Sequence, residues 1–195
     1  MKKKVLLLGD SIRMGYDEYV KELLQEDCEV YYDDEDNGRF AAYTLWQANQ
    51  LIRQYGPFDL VHWNNGYWDM NIEAPMTEAI HPLDEYLHFL KRILELVRKD
   101  SAKVVFATTL PMLPEGEMDS PEGRQFAYDD NTACRYNAAA CSLLEGEGVR
   151  INDLYALCKQ HPTLYKCPDR LHLTEEGSRK CAEQVAAVIR EELGL

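Results

Sequence analysis

The chain has 195 residues, of which 46% are hydrophobic and 28% charged, with 12 tyrosines and 3 tryptophans. That is ample for one buried core and short for two, so a single ordered domain over residues 1–195 is expected and disorder is excluded. A net charge of −13, from 21 basic and 34 acidic side chains, repels phosphate backbones and anionic bilayers, which argues against nucleic acid or membrane partners.

The apolar run behind Met1-Lys2-Lys3-Lys4 ends after Leu8, at Gly9. A signal peptide needs roughly seven apolar residues or more, and a membrane span about 18; neither is present, so a cytoplasmic location is expected. The six cysteines, Cys28, Cys134, Cys141, Cys158, Cys167 and Cys181, include no Cys-x-x-Cys pair, and reduced thiols are expected. Cys158, His161, Cys167 and His172 match no zinc spacing, and no metal or cofactor is implied.

In chain order, strands are predicted at Lys4–Leu8, Cys28–Tyr32, Asp59–Asn64, Lys103–Thr109 and Val149–Asn152, each a short apolar run rich in β-branched or aromatic residues. Helix-period segments separate and follow them, near Tyr16–Gln25, Tyr43–Gln54, Leu83–Arg98, Asn131–Leu144 and Glu175–Leu193. Alternation of this kind predicts an α/β fold, a doubly wound five-stranded parallel sheet in three layers. Thr174 followed by two glutamates reads as the cap of the last helix. Two Pro-containing stretches, Asn71–Pro82 and Pro111–Gly123, read as long loops and candidate walls of a crevice at the carboxyl ends of the strands.

Gly9-Asp10-Ser11 follows the first strand and opens the first helix, which puts the Ser11 hydroxyl at a helix N-terminus where backbone N–H groups can hold an oxyanion. A hydroxyl needs a base. Asp169-Arg170-Leu171-His172, between Pro168 and the Thr174 cap, supplies a histidine with a carboxylate three residues earlier, able to reach Nδ1 and leave Nε2 for Ser11. The other histidines, His62, His81, His88 and His161, have no acid at a comparable spacing before a helix start. Asp153 is the rival orienting acid, but it also fits as the cap of a short helix near Leu154. Asn37-Gly38 after the second strand and Asn64-Asn65-Gly66 after the third offer oxyanion donors.

This arrangement resembles the SGNH, or GDSL-type, hydrolase family of esterases and acyl hydrolases, and the likeness spans nearly the whole chain. The first family block is matched by Gly9-Asp10-Ser11, the second by Gly38 and the last by Asp169-Arg170-Leu171-His172. The resemblance implies a flavodoxin-like fold, Ser11 as nucleophile, His172 as base, Asp169 as its orienter, and an oxyanion hole formed by the N–H groups of Ser11 and Gly38 with an asparagine side chain. The third block departs from the family pattern, because Gly66-Tyr67-Trp68-Asp69 puts Trp68 where asparagine is expected. Asn64 and Asn65 are then alternative donors; alternation along a strand turns one inward and the other outward, and Asn64 is preferred.

The expected activity is hydrolysis of small carboxylic esters, including O-acetyl groups on a carbohydrate, with a small-molecule ester as partner. Asp10, Arg13 and Trp68 are candidate pocket residues, and Tyr43, Trp46 and Tyr67 are aromatic candidates near its mouth. The alternative is a ligand-binding protein on the same fold with impaired turnover, its oxyanion hole dismantled at Trp68. A nucleotide-binding protein is disfavoured by the lack of a Gly-x-x-x-x-Gly-Lys-[Ser/Thr] or Gly-x-Gly-x-x-Gly loop.

Overall fold

A computed structural model describes residues 2–112, 129–164 and 171–195. The strands β1 (Lys3–Leu8), β2 (Cys28–Tyr31), β3 (Phe58–Asn64), β4 (Ser101–Ala107) and β5 (Arg150–Asn152) form one parallel sheet in the order β2-β1-β3-β4-β5. The helices are α1 (Ser11–Leu24), α2 (Ala41–Tyr55), α3 (Tyr67–Met70), α4 (Leu83–Val97), α5 (Asp130–Gly146), α6 (Leu154–Lys159) and α7 (Glu175–Leu193). Helices α1 and α7 pack together, as do α2 with α4 and α4 with α5, giving the expected doubly wound, three-layer α/β architecture.

Burial explains the elements. In β1, Val5–Leu8 are at most 1% exposed, as a central parallel strand covered on both faces requires. On α7, Cys181, Ala182, Val185, Ala186 and Ile189 form the buried face, and the Thr174 side chain caps the helix by accepting from the Gly177 N–H. The edge strands β2 and β5 have only 4 and 3 residues, which limits exposed ladder edge. No described helix is long and apolar enough to cross a membrane.

Some boundaries differ from expectation, for physical reasons. Helix α1 starts at Ser11, as the Gly9-Asp10-Ser11 turn predicts and five residues before the periodic segment near Tyr16, because Asp10 caps it through a bond from the Ile12 N–H. Strand β4 stops at Ala107: the Thr109 N–H leaves the ladder for the Asn137 side chain. The Asn71–Pro82 stretch is a loop between α3 and α4. Asp169 and residues 113–123 of the second expected loop lie outside the described residues.

Arg13 corrects an expectation. It stands two positions after Ser11 on α1, so its side chain leaves the opposite face of the helix, and it is fully buried. Its guanidinium donates to the Asp17 carboxylate (2.6 Å) and to the carbonyls of Asp33 (2.6 Å) and Asp36 (3.0 Å). Gln47 from α2 donates to the same Asp36 carbonyl (3.1 Å) and to the Asp33 carboxylate (3.2 Å). Arg13 therefore straps down the β2–α2 segment, and no substrate can reach it. Burial pushes the Asp17 carboxyl above its ordinary range, against the pull of Arg13.

His62, in the middle of β3, is fully buried, and its Nε2 accepts from Asn152 at 3.1 Å. Burial alone pushes the imidazole down to about 3 from 6.5. A folded value below the unfolded one gives stability that is complete above pH 6.5 and is lost as pH falls toward 3. The drop in urea midpoint between pH 7 and pH 4 should accordingly be smaller in His62→Gln than in the unsubstituted chain; equal drops would refute the linkage. Arg13→Met should cost about 3–5 kcal/mol in urea unfolding by leaving a buried carboxylate uncompensated, and Arg13→Met/Asp17→Leu should recover part of it. A double variant no more stable than the single one would rule out that account.

Candidate active site

The site is built at the carboxyl ends of β1 and β3, the point where the strand order reverses and where open α/β sheets form their crevice. Gly9, at the end of β1, has φ +146°, and a Cβ there would lie 2.0 Å from the Asn64 Oδ1. Only glycine fits such a backbone and so close a neighbour. The turn it makes delivers Asp10 as cap and Ser11 as the first residue of α1. Ser11 is half-buried, beside first-turn N–H groups that have no acceptor within the helix.

The His172 Nε2 lies 2.9 Å from the Ser11 Oγ, across 161 residues of sequence. Leu171 and Leu173 are 3% and 5% exposed; anchored in the core on either side, they hold the histidine between them toward Ser11. The Leu164 carbonyl accepts from both the Thr174 N–H (2.7 Å) and hydroxyl (3.1 Å), tying the segment after His172 to the end of a short 3-10 turn (Pro162–Leu164). Asp153 is engaged elsewhere: it caps α6 through the Ala156 N–H and accepts from the Thr108 hydroxyl.

The donor candidates sort by their bonds. The Gly38 N–H donates to the Gly9 carbonyl at 2.6 Å, and a Cβ on Gly38 would meet that same oxygen at 2.8 Å. Gly38 thus joins two loops by backbone contact, and its N–H is committed there instead of to open space. Strand alternation does not separate the two asparagines, since β3 ends at Asn64 and both residues are buried. Asn65 spends both amide hydrogens, on the Arg39 carbonyl (3.1 Å) and the Thr44 hydroxyl (2.8 Å). Asn64 spends one, on the Asp10 Oδ1 (3.1 Å), and packs against Gly9 beside the Gly9-Asp10-Ser11 turn.

Burial pushes the Asp10 carboxyl above its ordinary range, against the bonds from Ile12 and Asn64 and the nearby His172. Asp10 is 1% exposed, so it caps and orients but cannot line a pocket. Asp69 was not foreseen. Its Oδ1 accepts from the Ala41 N–H at the start of α2 (2.8 Å) and faces the His81 Nδ1 at 2.7 Å, while Phe89 stacks on the His81 ring and Phe40 meets its edge. This buried pair fastens α3 to α2; the two residues stand 12 apart across a loop, with no periodic spacing to announce them. Burial raises the Asp69 carboxyl too, opposed first by the His81 bond.

A cleft of about 370 Å³ opens at Ser11 and His172 between α1 and α7. Trp68, half-buried on α3, does not line it, and neither do Tyr43, Trp46 or Tyr67. Tyr67 is buried, with its hydroxyl on the Leu110 and Pro111 carbonyls, and Trp46 is 55% exposed on α2. Among the described residues no cluster of three or more His, Cys, Asp or Glu side chains could hold a metal ion.

No family model matches the chain. In sequence it is similar to the GDSL esterase/lipase WDL1 of Oryza sativa subsp. japonica, 28% identical over 116 residues; the match covers 56% of this chain and only 45% of that relative. In fold it is similar to a carbohydrate acetylesterase family member from Sinorhizobium meliloti (TM-score 0.77, 19% identity, all of both chains covered). The lipase/acylhydrolase from Enterococcus faecalis superposes with a TM-score of 0.74 at 18% identity, over 98% of this chain and 96% of the other. A catalytic mutant of the acetylxylan esterase Axe2 from Geobacillus stearothermophilus gives 0.69 at 19%, over 99% and 94%. The chain therefore has the α/β fold of these esterases and acylhydrolases, and over part of its length it is similar in sequence to a GDSL esterase/lipase.

Proposed function

We propose that the chain is a serine carboxylic ester hydrolase acting on small esters, acetate esters of carbohydrates among them, through an acyl-Ser11 intermediate. The 2.9 Å approach of His172 Nε2 to Ser11 Oγ at the lip of a cleft carries this reading. Neutral His172 accepts the hydroxyl proton as Oγ attacks the acyl carbon, then passes that proton to the departing alkoxide. A water, deprotonated in turn by His172, attacks the acyl-serine; the carboxylic acid leaves, and Oγ regains its proton. Asp169 is assigned as the orienter of His172 by its place three residues earlier.

The tetrahedral oxyanion is held by the Ser11 N–H and by the second amide hydrogen of Asn64, which its bond to Asp10 leaves unspent. Asn65, with both hydrogens committed, is assigned a structural role. The acetylesterase names among the fold neighbours support an acetyl group, and the modest cleft supports a small substrate. A second reading, a ligand-binding protein with impaired turnover, draws on the Gly38 N–H being bound to Gly9, which leaves the hole one donor short of the family pattern.

Ser11→Ala should lower kcat on 4-nitrophenyl acetate by at least on the order of a thousandfold, and a fluorophosphonate should add to Ser11 in the unsubstituted chain but not in His172→Ala. Hydrolysis that survives Ser11→Ala ends the mechanism; labelling of Ser11 without turnover of any ester favours the binding protein. The asparagines separate in a second comparison. Asn64→Ala should lower kcat about 10²–10³-fold, whereas Asn65→Ala should cost about 1–3 kcal/mol in urea unfolding with a far smaller loss of kcat. The reverse pattern would move the donor to Asn65.

A further inference from the structure

Gly15 is out of place as a helix residue. It sits inside α1 with an ordinary negative φ, and a Cβ there would meet nothing but the Ser178 hydroxyl, at 3.3 Å. Its backbone conformation does not require glycine, and a glycine inside a helix weakens it, but the Ser178 hydroxyl on α7 stands closer to that point than ordinary van der Waals contact. Gly15 lies four positions after Ser11, on the same face of α1, and its missing side chain is part of the space of the α1–α7 cleft.

Across that space stands Ser178 of α7, 6% exposed and lining the cleft. Its hydroxyl is the atom that a Cβ on Gly15 would meet, at 3.3 Å. One turn beyond Gly15, Tyr19 forms the far wall. Its ring is held in place by the Arg179 guanidinium, 4.3 Å from the centroid, which Glu175 in turn holds at 3.1 Å. Glu175 also stands on the rim.

The cleft lies on the His172 side of Ser11: His172 and Leu173 line it, while Asn64 and Gly38 do not. In acyl transfer the base must reach the oxygen that leaves, whereas the carbonyl oxygen turns toward the oxyanion donors. We infer that the α1–α7 cleft is the subsite for the alcohol half of the ester, and that Gly15 and Ser178 determine which alcohol enters. The inference rests on Ser11 and His172 acting as nucleophile and base. The favoured class is a neutral, hydroxyl-bearing alcohol: Ser178 offers a hydroxyl on the cleft wall, Tyr19 an aromatic face, and Glu175 together with a net charge of −13 opposes an anion.

The test compares kcat/KM for methyl acetate, glyceryl monoacetate and methyl butyrate in the unsubstituted chain, Gly15→Leu, Gly15→Ala and Ser178→Ala. The ratio of glyceryl monoacetate to methyl acetate should fall at least about tenfold in Gly15→Leu and about threefold or more in Ser178→Ala. Gly15→Ala, which crowds only the rotatable Ser178 hydroxyl, should move the ratio the same way and stands as the measure if the leucine variant does not fold. Equal losses on all three esters would overturn the subsite and leave the hydrolase reading intact. Losses falling on methyl butyrate relative to methyl acetate would put the acyl chain in the cleft and overturn it as well. A folded, unsubstituted chain that hydrolyses none of the three would overturn the hydrolase reading, and the subsite with it.

Discussion

The contact between the main chains of Gly9 and Gly38 is the constraint around which the site is arranged. The carboxyl end of β1 and the segment after β2 approach until the Gly38 N–H and the Gly9 carbonyl are 2.6 Å apart. A side chain on either residue would forbid it, since the space above Gly9 is filled by the Asn64 amide and the space above Gly38 by the Thr44 hydroxyl and the Gly9 carbonyl. Thr44 in turn donates to the Gly38 carbonyl and accepts from Asn65. Three successive strand ends are thereby joined through two glycines, one hydroxyl and two amides. Ser11 emerges one residue beyond this junction's Asp10, so the position of its hydroxyl inherits the rigidity of the whole.

The same junction concentrates buried charge. Asp10, Asp17 and Asp69 are each at most 4% exposed, beside a fully buried Arg13. Burying such groups costs several kcal/mol apiece unless each is paired and hydrogen-bonded. Each finds a partner that also fixes geometry: Arg13 holds the β2–α2 segment, Asp10 caps α1 and orients Asn64, and Asp69 with His81 fastens α3 to the start of α2. A hydrophobic set of the same volumes would hold the fold as firmly but would not aim an amide or a helix terminus at Ser11. In a chain with 34 acidic residues, these few buried carboxylates do a different job from the many at the surface.

The sheet was legible because its central strands are buried on both faces and so read as unbroken apolar runs, Val5–Leu8 above all. The Ser11 and His172 segments were legible because each abuts a helix start that its own neighbours cap, Asp10 for α1 and Thr174 for α7. What stayed hidden depends on contacts between distant segments. Arg13 reads as a solvated helix charge until Asp33 and Asp36 close over it. The commitment of the Gly38 N–H, and the end of β3 at Asn64 that buries both asparagines, are likewise set by neighbouring strands. Asp69 and His81 meet only because an irregular loop returns to the end of α3. Asp169, the orienter that the family resemblance implies, lies outside the described residues.

The separation of 161 positions from Ser11 to His172 also bears on how the protein is made. The Gly9-Asp10-Ser11 turn is synthesised early, but the histidine that faces it is anchored by Leu171, Leu173 and the cap of α7, the last helix in the chain order. Helix α7 packs on α1, so the contact that closes the fold is also the one that brings imidazole to hydroxyl. With α7 unmade or undocked, Ser11 stands without the imidazole that otherwise lies 2.9 Å from its hydroxyl. Completion of the site is thus coupled to the most sequence-distant docking event of the domain, the kind of contact that forms late because its loop-closure entropy must be met first.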